Sequence, residues 1–114
     1  MEIRGLVFAG IESAESETLA AFFRDMLGLE GSEDGGLHSF RLPDGNALAV
    51  IPPGHLGEHD TILGFLLDDV EAATTELEAR GVEKNGPLFR SEVFRWQHFR
   101  APDGRFFELL DRRV

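Results

Sequence analysis

Two stretches of this 114-residue chain share one order of predicted elements: a strand, a helix and then a hairpin. The hairpin loop is Pro-Asp-Gly in both stretches, at residues 43–45 and 102–104. A three-residue loop of this kind places its glycine in the left-handed region and fixes which residues of the two strands pair. A unit of this length that occurs only twice is not a solenoid repeat. The chain is therefore predicted to be one domain built from two similar halves.

In the first half, residues 5–11 form an apolar run that predicts a buried strand. A helix follows, and Gly28 is expected to end it in the left-handed conformation. Strands at residues 37–42 and 47–51 flank the first hairpin loop. Five apolar residues at helical spacing are expected on one buried helix face: Leu19, Phe22, Phe23, Met26 and Leu27.

In the second half, residues 62–67 predict a strand, and Asp68 with Glu71 three residues later resembles a capping box that begins a helix. Gly81 is expected to end that helix, and strands at residues 94–101 and 106–111 flank the second loop. The buried stripe of this helix is predicted to be Val70, Ala73, Thr74 and Leu77.

The predicted fold class is α+β, with two βαβββ modules. Module one covers about residues 1–53, a connector covers residues 54–60, and module two covers about residues 61–114. Each module needs one further strand between its helix and its hairpin. These strands fall near residues 29–33 and 82–88, where glycine, glutamate and proline give only a weak strand pattern.

The bulk composition excludes several classes of protein. A formal net charge of −10 argues against a nucleic-acid-binding surface, and no apolar run approaches the length needed to span a bilayer. The chain has no cysteine and no signal-peptide pattern at its start, so a cytoplasmic location is the simplest expectation. The acidic balance favours a cationic small-molecule ligand over an anionic one.

The second hairpin brings an ionisable pair together. Pairing outward from the loop places His98 opposite Glu108 and Trp96 opposite Leu110, all on one face of the sheet. The other face, towards the helices, carries Phe99, Phe107 and Leu109.

The His98–Glu108 pair has two readings: a satisfied polar pair that fixes the strand register, or a pair that binds a ligand or acts in acid–base chemistry. Trp96 is likewise either a core residue or a wall on which a ligand stacks. In the first hairpin, Ser39 pairs with Ala49, so that half has no ionisable counterpart.

Three segments together resemble the vicinal oxygen chelate superfamily of glyoxalases, bleomycin-resistance proteins and dioxygenases: FFRDMLGLE at residues 22–30, DDV at residues 68–70 and HFRAPDGRFFEL at residues 98–109. The resemblance covers essentially the whole chain, and APDGRFFEL is its most specific part. It implies two βαβββ modules that form a curved mixed sheet around a cavity, and a homodimer.

Metal-dependent members of that superfamily hold a divalent ion with four side chains. The matching positions here are Phe8, Ala49, Ile62 and Glu108, of which only Glu108 has a metal-binding side chain. One carboxylate does not hold a metal ion against water, since such sites take four or more ligands. We therefore expect no metal and no other cofactor, and a metal-dependent glyoxalase or dioxygenase is the least favoured interpretation.

The connector carries His55 and His59, four residues apart. Its glycines and lack of apolar periodicity predict a loop, so this spacing does not place the two imidazoles on one face. Arg41 and Arg100 lie near the hairpin loops and are expected to be solvated, although Arg100 could reach an anionic ligand at the rim.

The leading functional interpretation is a protein that binds a small apolar or aromatic molecule without metal. The alternative is a metal-independent lyase or isomerase with His98 and Glu108 as its acid–base pair. No nucleic-acid or membrane partner is expected. The predicted ligand-binding residues are Phe8, Ala49, Ile62, Trp96, His98, Phe106 and Glu108.

Overall fold

A computed structural model describes residues 1–113, and it has the predicted α+β architecture. The chain divides into two compact units: residues 7–62, and residues 1–6 together with the chain from Leu63 onward. The order strand, helix, three strands occurs twice, which confirms the two βαβββ modules. The elements are β1 (Gly5–Glu12), α1 (Ser16–Leu27), β2 (Gly31–Asp34), β3 (Leu37–Arg41), β4 (Ala47–Ile51), β5 (Thr61–Leu66), α2 (Val70–Ala79), β6 (Lys84–Arg90), β7 (Phe94–Arg100) and β8 (Phe106–Arg112).

The first unit contains the strand order β2-β3-β4-β1, in which β1 runs parallel to β4 and the other pairs are antiparallel. Ser39 pairs with Ala49, as the loop predicted. At the turn, the Leu42 amide donates to the Asn46 carbonyl at 2.8 Å, and Gly45 has a φ of 88°. The positive φ is the reason that this loop needs glycine.

The second unit contains the strand order β5-β8-β7-β6, in which β5 runs parallel to β8. His98 pairs with Glu108 and Trp96 pairs with Leu110, which confirms the predicted register. Gly104 at this turn has a φ of 92°. The two Pro-Asp-Gly loops therefore build the same hairpin.

The two weak strands exist, but β2 and β6 each begin two residues later than the sequence predicted. Leu29 and Val82, the expected first residues, complete the ends of the preceding helices instead. The Leu29 amide donates to the Phe23 carbonyl at 3.2 Å, and the Val82 amide donates to the Leu77 carbonyl at 2.9 Å. Hydrogen bonds of this type close the C-terminus of a helix, so pairing in the sheet starts only after them.

The predicted N-cap of α2 was wrong by one residue. Asp69, not Asp68, caps the helix, and its carboxylate accepts from the amides of Glu71 and Ala72 at 3.1 Å each. Asp68 instead pairs with the exposed guanidinium of Arg4. Because the helix begins at Val70, Glu71 is too close to the cap to complete a capping box.

The predicted apolar face of α1 was also wrong in part. Ala20 is fully buried, and Leu19 and Phe23 pack beside it against the sheet of the first unit. Phe22 and Met26 are exposed, Met26 to 72%, and Leu27 is exposed as well. Five apolar residues within nine span more than one helix face, and the small Ala20 sets the side that approaches the sheet.

The core of the second unit lies between α2 and one face of its sheet. Val70 and Ala73 of the helix pack on Phe99 and Leu109, and Phe107, Thr74 and Leu77 are half-buried. This confirms both the predicted helix stripe and the predicted inward face of the hairpin. The alternate residues of β7 and β8 consequently point to the opposite face.

A buried carboxylate ties the start of α2 to the hairpin. Asp111 is 1% exposed and accepts from the Val70 amide at 2.8 Å and from Arg95 Nε at 2.9 Å. Burial acts to raise the pKa of Asp111, but the hydrogen bonds from Arg95 and Val70 and the charge of Arg95 together hold it below its ordinary value. The carboxylate is thus charged, paired and placed at the positive end of the helix dipole.

We predict that Asp111→Ala lowers the free energy of unfolding by about 3 kcal/mol, because it removes the buried partner of Arg95, leaves that arginine only the exposed carboxylates of Glu71 and Asp69, and leaves the Val70 amide unsatisfied. Asp68→Ala, which removes an exposed aspartate that also pairs with an arginine, should cost less than about 1 kcal/mol. Urea unfolding at neutral pH measures both values. Equal effects of the two substitutions would contradict the anchoring role of Asp111.

The depressed pKa also fixes the direction of a pH effect. A carboxylate whose pKa is lower in the folded state contributes stability above its unfolded pKa, and loses that contribution as the pH falls through the folded pKa. The stability difference between the wild type and Asp111→Ala should therefore shrink as the pH falls below about 4. A difference that stays constant down to pH 2 would contradict this assignment.

Candidate functional site

Four cross-strand pairs of β7 and β8 occupy the sheet face that points away from α2. We call this surface the His98 face. It has apolar or aromatic residues on both sides of a central ionisable pair and an arginine at each end. Its members are the pairs Phe94–Arg112, Trp96–Leu110, His98–Glu108 and Arg100–Phe106.

The central pair is joined by a hydrogen bond. His98 Nε2 lies 2.9 Å from Glu108 Oε2, and the side chains are 27% and 7% exposed, respectively. With Glu108 ionised, the carboxylate can only accept this hydrogen bond, which requires the hydrogen on Nε2 and leaves a lone pair on Nδ1 of a neutral ring. Glu108 therefore orients the imidazole and selects its tautomer, the usual task of a carboxylate beside an active histidine.

An aromatic side chain that the sequence did not predict completes this group. Phe89 of β6 stacks on Trp96 with 5.7 Å between ring centroids and an interplanar angle of 21°. The same ring lies 5.5 Å from the His98 ring. Because Phe89 contacts both rings and remains 39% exposed, it presents an accessible aromatic surface beside His98.

A bulge in β6 brings Phe89 to this place. Asn85 pairs with His98, but the next pairs are Phe89 with Trp96 and Arg90 with Arg95, so residues 86–88 lie opposite a single residue of β7. An unbroken register would place residue 87, a proline, opposite Trp96. The bulge therefore decides which side chain covers the tryptophan.

Two residues maintain the bulge. Gly86 has a φ of 76°, a conformation that favours glycine. Gln97 is 3% exposed, and its Nε2 donates to the Gly86 carbonyl at 2.9 Å. Gln97 lies between His98 and Trp96 in sequence but points to the opposite face, so it supports the site from beneath.

The arginines at the two ends of the His98 face stack on aromatic rings. The guanidinium carbon of Arg100 lies 4.6 Å from the centroid of Phe106, and Arg100 Nη1 donates to the Gly104 carbonyl at 2.9 Å. The guanidinium carbon of Arg112 lies 5.3 Å from the Phe94 centroid. Arg100 and Arg112 are both exposed, as is Arg41 in the first unit.

The other predicted ligand-contacting residues lie in the first unit, where they gather around Gly10. Ala49 pairs with Gly10 across the strands and is buried, as is Ile62. A Cβ atom at Gly10 would lie 2.7 Å from Ile62 Cγ2 and 3.4 Å from Phe8 Cε2, so only glycine leaves room for these side chains. The group is apolar, and its role in binding a ligand stays a prediction.

Phe8, Ala49 and Ile62 have no metal-binding side chains, so they do not complete the four-ligand metal site that the resemblance implies. Of the four matching positions, only Glu108 has a donor side chain, and its Oε2 atom already accepts from His98. Within residues 1–113, no three His, Cys, Asp or Glu side chains come together as a set that would hold a metal ion.

The connector is a loop that Glu12 anchors. Glu12 Oε1 accepts from the backbone amides of His55 and Leu56 at 2.7 Å each, and these hydrogen bonds lower the pKa of the carboxyl. The His55 ring contacts the Pro52 carbonyl through Nδ1 at 2.9 Å. No helix forms between residues 52 and 60, so the four-residue spacing of His55 and His59 does not create a shared face.

Solved structures with this architecture come from several functional classes. One is a glyoxalase/bleomycin resistance protein/dioxygenase superfamily member from Vibrio splendidus (16% identity, TM-score 0.67, 98% of this chain and 100% of that chain). Another is methylmalonyl-CoA epimerase from Mycobacterium tuberculosis (17% identity, TM-score 0.72, 98% and 90%). A third is a halotolerant catechol dioxygenase (20% identity, TM-score 0.75), of which this chain spans only 40%. At these identities the likeness establishes the fold alone.

Neither a protein-family model nor a curated protein matches the sequence. No helix within residues 1–113 is both long and apolar enough to cross a membrane.

We predict that Gly86→Ala displaces Phe89, because an L side chain is strained at this φ. The proton shifts of the His98 ring should then approach those of Phe89→Ala, in which the neighbouring ring current is absent. Gly28→Ala is the matched control, since Gly28 has a similar φ of 69° and both positions have open space around a Cβ. Both substitutions should cost about 1 kcal/mol of stability, but only Gly86→Ala should change the His98 shifts in an NMR spectrum. Unchanged His98 shifts in folded Gly86→Ala would contradict the role of the bulge.

Proposed function

We propose that this chain, which has the vicinal oxygen chelate fold, binds a small planar aromatic molecule on the His98 face without using a metal ion. The observation that carries the proposal is the half-buried His98–Glu108 hydrogen bond, whose imidazole contacts Phe89, which in turn stacks on Trp96. A pair that only fixed strand register would not need a partly exposed imidazole beside an exposed aromatic ring.

The aromatic rings provide the affinity in this proposal. A planar ligand that packs on Phe89 or inserts beside it buries apolar area, and a well-placed aromatic contact adds about 1 kcal/mol beyond that burial. Phe106, on the same face, extends the apolar surface on the other side of the ionisable pair.

The polar pair provides orientation. His98 Nδ1 accepts a hydrogen bond from a ligand hydroxyl or amide when the ring is neutral, and donates one when the ring is protonated. Glu108 is held by His98 and nearly buried, so it fixes the direction in which the imidazole points. Few but well-placed polar groups in an apolar surround are typical of small-molecule sites.

We propose binding without a metal ion because the positions that match the metal ligands of the superfamily lack metal-binding side chains. Phe8, Ala49 and Ile62 have no metal-binding atoms, so the ligand set of the metal-dependent members does not fit this chain. A metal-dependent glyoxalase or dioxygenase activity is therefore the least supported function. A homodimer and a cytoplasmic location stay predictions of the sequence and its resemblance.

The test of binding uses the single tryptophan of the chain as its reporter. Titration with 3-phenylpropanol, a neutral benzene derivative, should change Trp96 emission in a saturable way. Phe89→Ala should weaken binding about fivefold, because it removes one aromatic contact. Phe22→Ala is the matched control, since Phe22 is a similarly exposed phenylalanine of the first unit. A wild type that gives no saturable response, or equal losses in the two variants, would refute the proposal.

One observation favours a second candidate function, a metal-independent lyase or isomerase. Glu108 orients His98 as a carboxylate orients a catalytic base, with Nδ1 left to take a proton.

The enzyme hypothesis makes a different prediction. The protein should catalyse deuterium exchange at the carbon next to the carbonyl of a bound aryl ketone, such as 4-phenyl-2-butanone, in D₂O. The rate should survive a chelator and fall at least about a hundredfold in His98→Ala, the usual loss for a general base. If the protein binds this ketone but exchange is no faster than in buffer, the enzyme hypothesis is wrong and ligand binding remains the proposed function.

A further inference from the structure

We infer that the His98 face selects an aromatic ligand that carries a negative charge, and that Arg100 binds that charge. This inference rests on the proposed binding function and adds the chemical class of the ligand. It reverses the expectation from net charge, which favoured a cation.

The charges on the His98 face differ in sign from those of the whole chain. The chain has 21 acidic and 11 basic side chains. On the His98 face, β7 and β8 contribute Arg100 and Arg112, and their one acidic residue is Glu108, which is nearly buried and bonded to His98. A ligand at this face therefore meets two exposed cations and no exposed carboxylate from these two strands.

The neighbouring strands β5 and β6 add no acidic residue to this face, but Glu83, just before β6, lies opposite Arg100 and accepts from the Arg100 backbone amide through its carbonyl at 3.0 Å. On β6, Asn85 lies opposite His98 and Phe89 lies opposite Trp96. On β5, Gly64 lies beside Glu108 and Leu66 lies beside Leu110. The exposed charges that β5 to β8 place on this face are therefore the two arginines, with the exposed Glu83 beside Arg100.

Arg100 is the better placed of the two arginines. It is two residues from His98 on the same side of β7, so its Cα lies roughly 7 Å away. Arg112 pairs with Phe94, which is the second pair beyond His98–Glu108 on the His98 face. We therefore assign the anionic group of the ligand to Arg100 and its aromatic ring to the exposed Phe89.

The guanidinium of Arg100 is also held in place before a ligand arrives. Its carbon lies over the Phe106 ring, and Nη1 donates to the Gly104 carbonyl, which leaves further N–H groups to bind an anion. A guanidinium that is already oriented loses less entropy when it binds a carboxylate through two parallel hydrogen bonds. Gly104 is the positive-φ residue of the second hairpin loop, so the loop that sets the strand register also positions the arginine.

The test compares three probes that share one ring and one chain length: 3-phenylpropionate, 3-phenylpropanol and 3-phenylpropylammonium. Trp96 emission reports binding of each at low ionic strength. We expect the propionate to bind at least about tenfold more tightly than the ammonium, as one charge-assisted interaction allows. Added salt should weaken binding of the propionate and leave the alcohol unchanged.

Arg100→Gln should weaken propionate binding about tenfold and change alcohol binding less than twofold. Arg24→Gln is the matched control, because it removes the same charge from an exposed arginine of α1. An equal loss in Arg24→Gln would attribute the effect to overall charge and overturn the assignment to Arg100.

The possible failures are distinguishable. If the alcohol binds but the propionate has no advantage over the ammonium, this inference is wrong and the binding function stands. If none of the three probes changes Trp96 emission, the proposed binding function fails and the inference fails with it.

Discussion

The structure depends on the register of its hairpins, which a single backbone conformation sets in each half. Gly45 and Gly104 both take a positive φ at the end of a Pro-Asp-Gly loop, and each loop fixes the pairing of the strands that flank it. Since side chains alternate between the two faces of a sheet, a slip of one residue would move His98 and Glu108 into the helix core and expose Phe99. The ionisable pair, the aromatic surface and the packing of α2 all follow from this register.

The repeated register allows the two halves to be compared position by position from their loops. Ser39 and Ala49 occupy the positions of His98 and Glu108, and His38 occupies the position of Gln97. His38 and Gln97 are both buried polar residues, but their side chains make different contacts. Gln97 donates to Gly86 and maintains the bulge, whereas His38 Nε2 lies 3.1 Å from Glu17 Oε2 outside hydrogen-bond geometry and has no hydrogen-bond partner. At this position of the hairpin the second half thus carries an ionisable pair, whereas the first half carries Ser39 and Ala49.

Sequence reasoning succeeded where local chemistry decides the structure and failed where distant contacts decide it. The loops, the order of elements and the His98–Glu108 pairing follow from glycine placement and strand alternation. Phe89 was missed because its position depends on a bulge that Gln97 stabilises from 11 residues away along the chain. The apolar face of α1 was overestimated because periodicity does not choose among neighbouring apolar stripes, and the cap of α2 was misplaced because both residues of the Asp68–Asp69 pair suit an N-cap. Net charge did not predict that β7 and β8 place two exposed arginines and one nearly buried carboxylate on the His98 face.

The central claim is that Glu108 holds His98 in a state that can receive a ligand, and the ring nitrogens of His98 report this directly. In a ¹⁵N NMR spectrum of the histidine rings, we predict that neutral His98 carries its hydrogen on Nε2 and that the shift of the unprotonated Nδ1 moves when 3-phenylpropanol is added. A neutral ring with its hydrogen on Nδ1, or an Nδ1 signal that does not respond to a ligand that quenches Trp96, would contradict it. The first result would mean that Glu108 does not orient the imidazole, and the second would mean that ligands bind elsewhere.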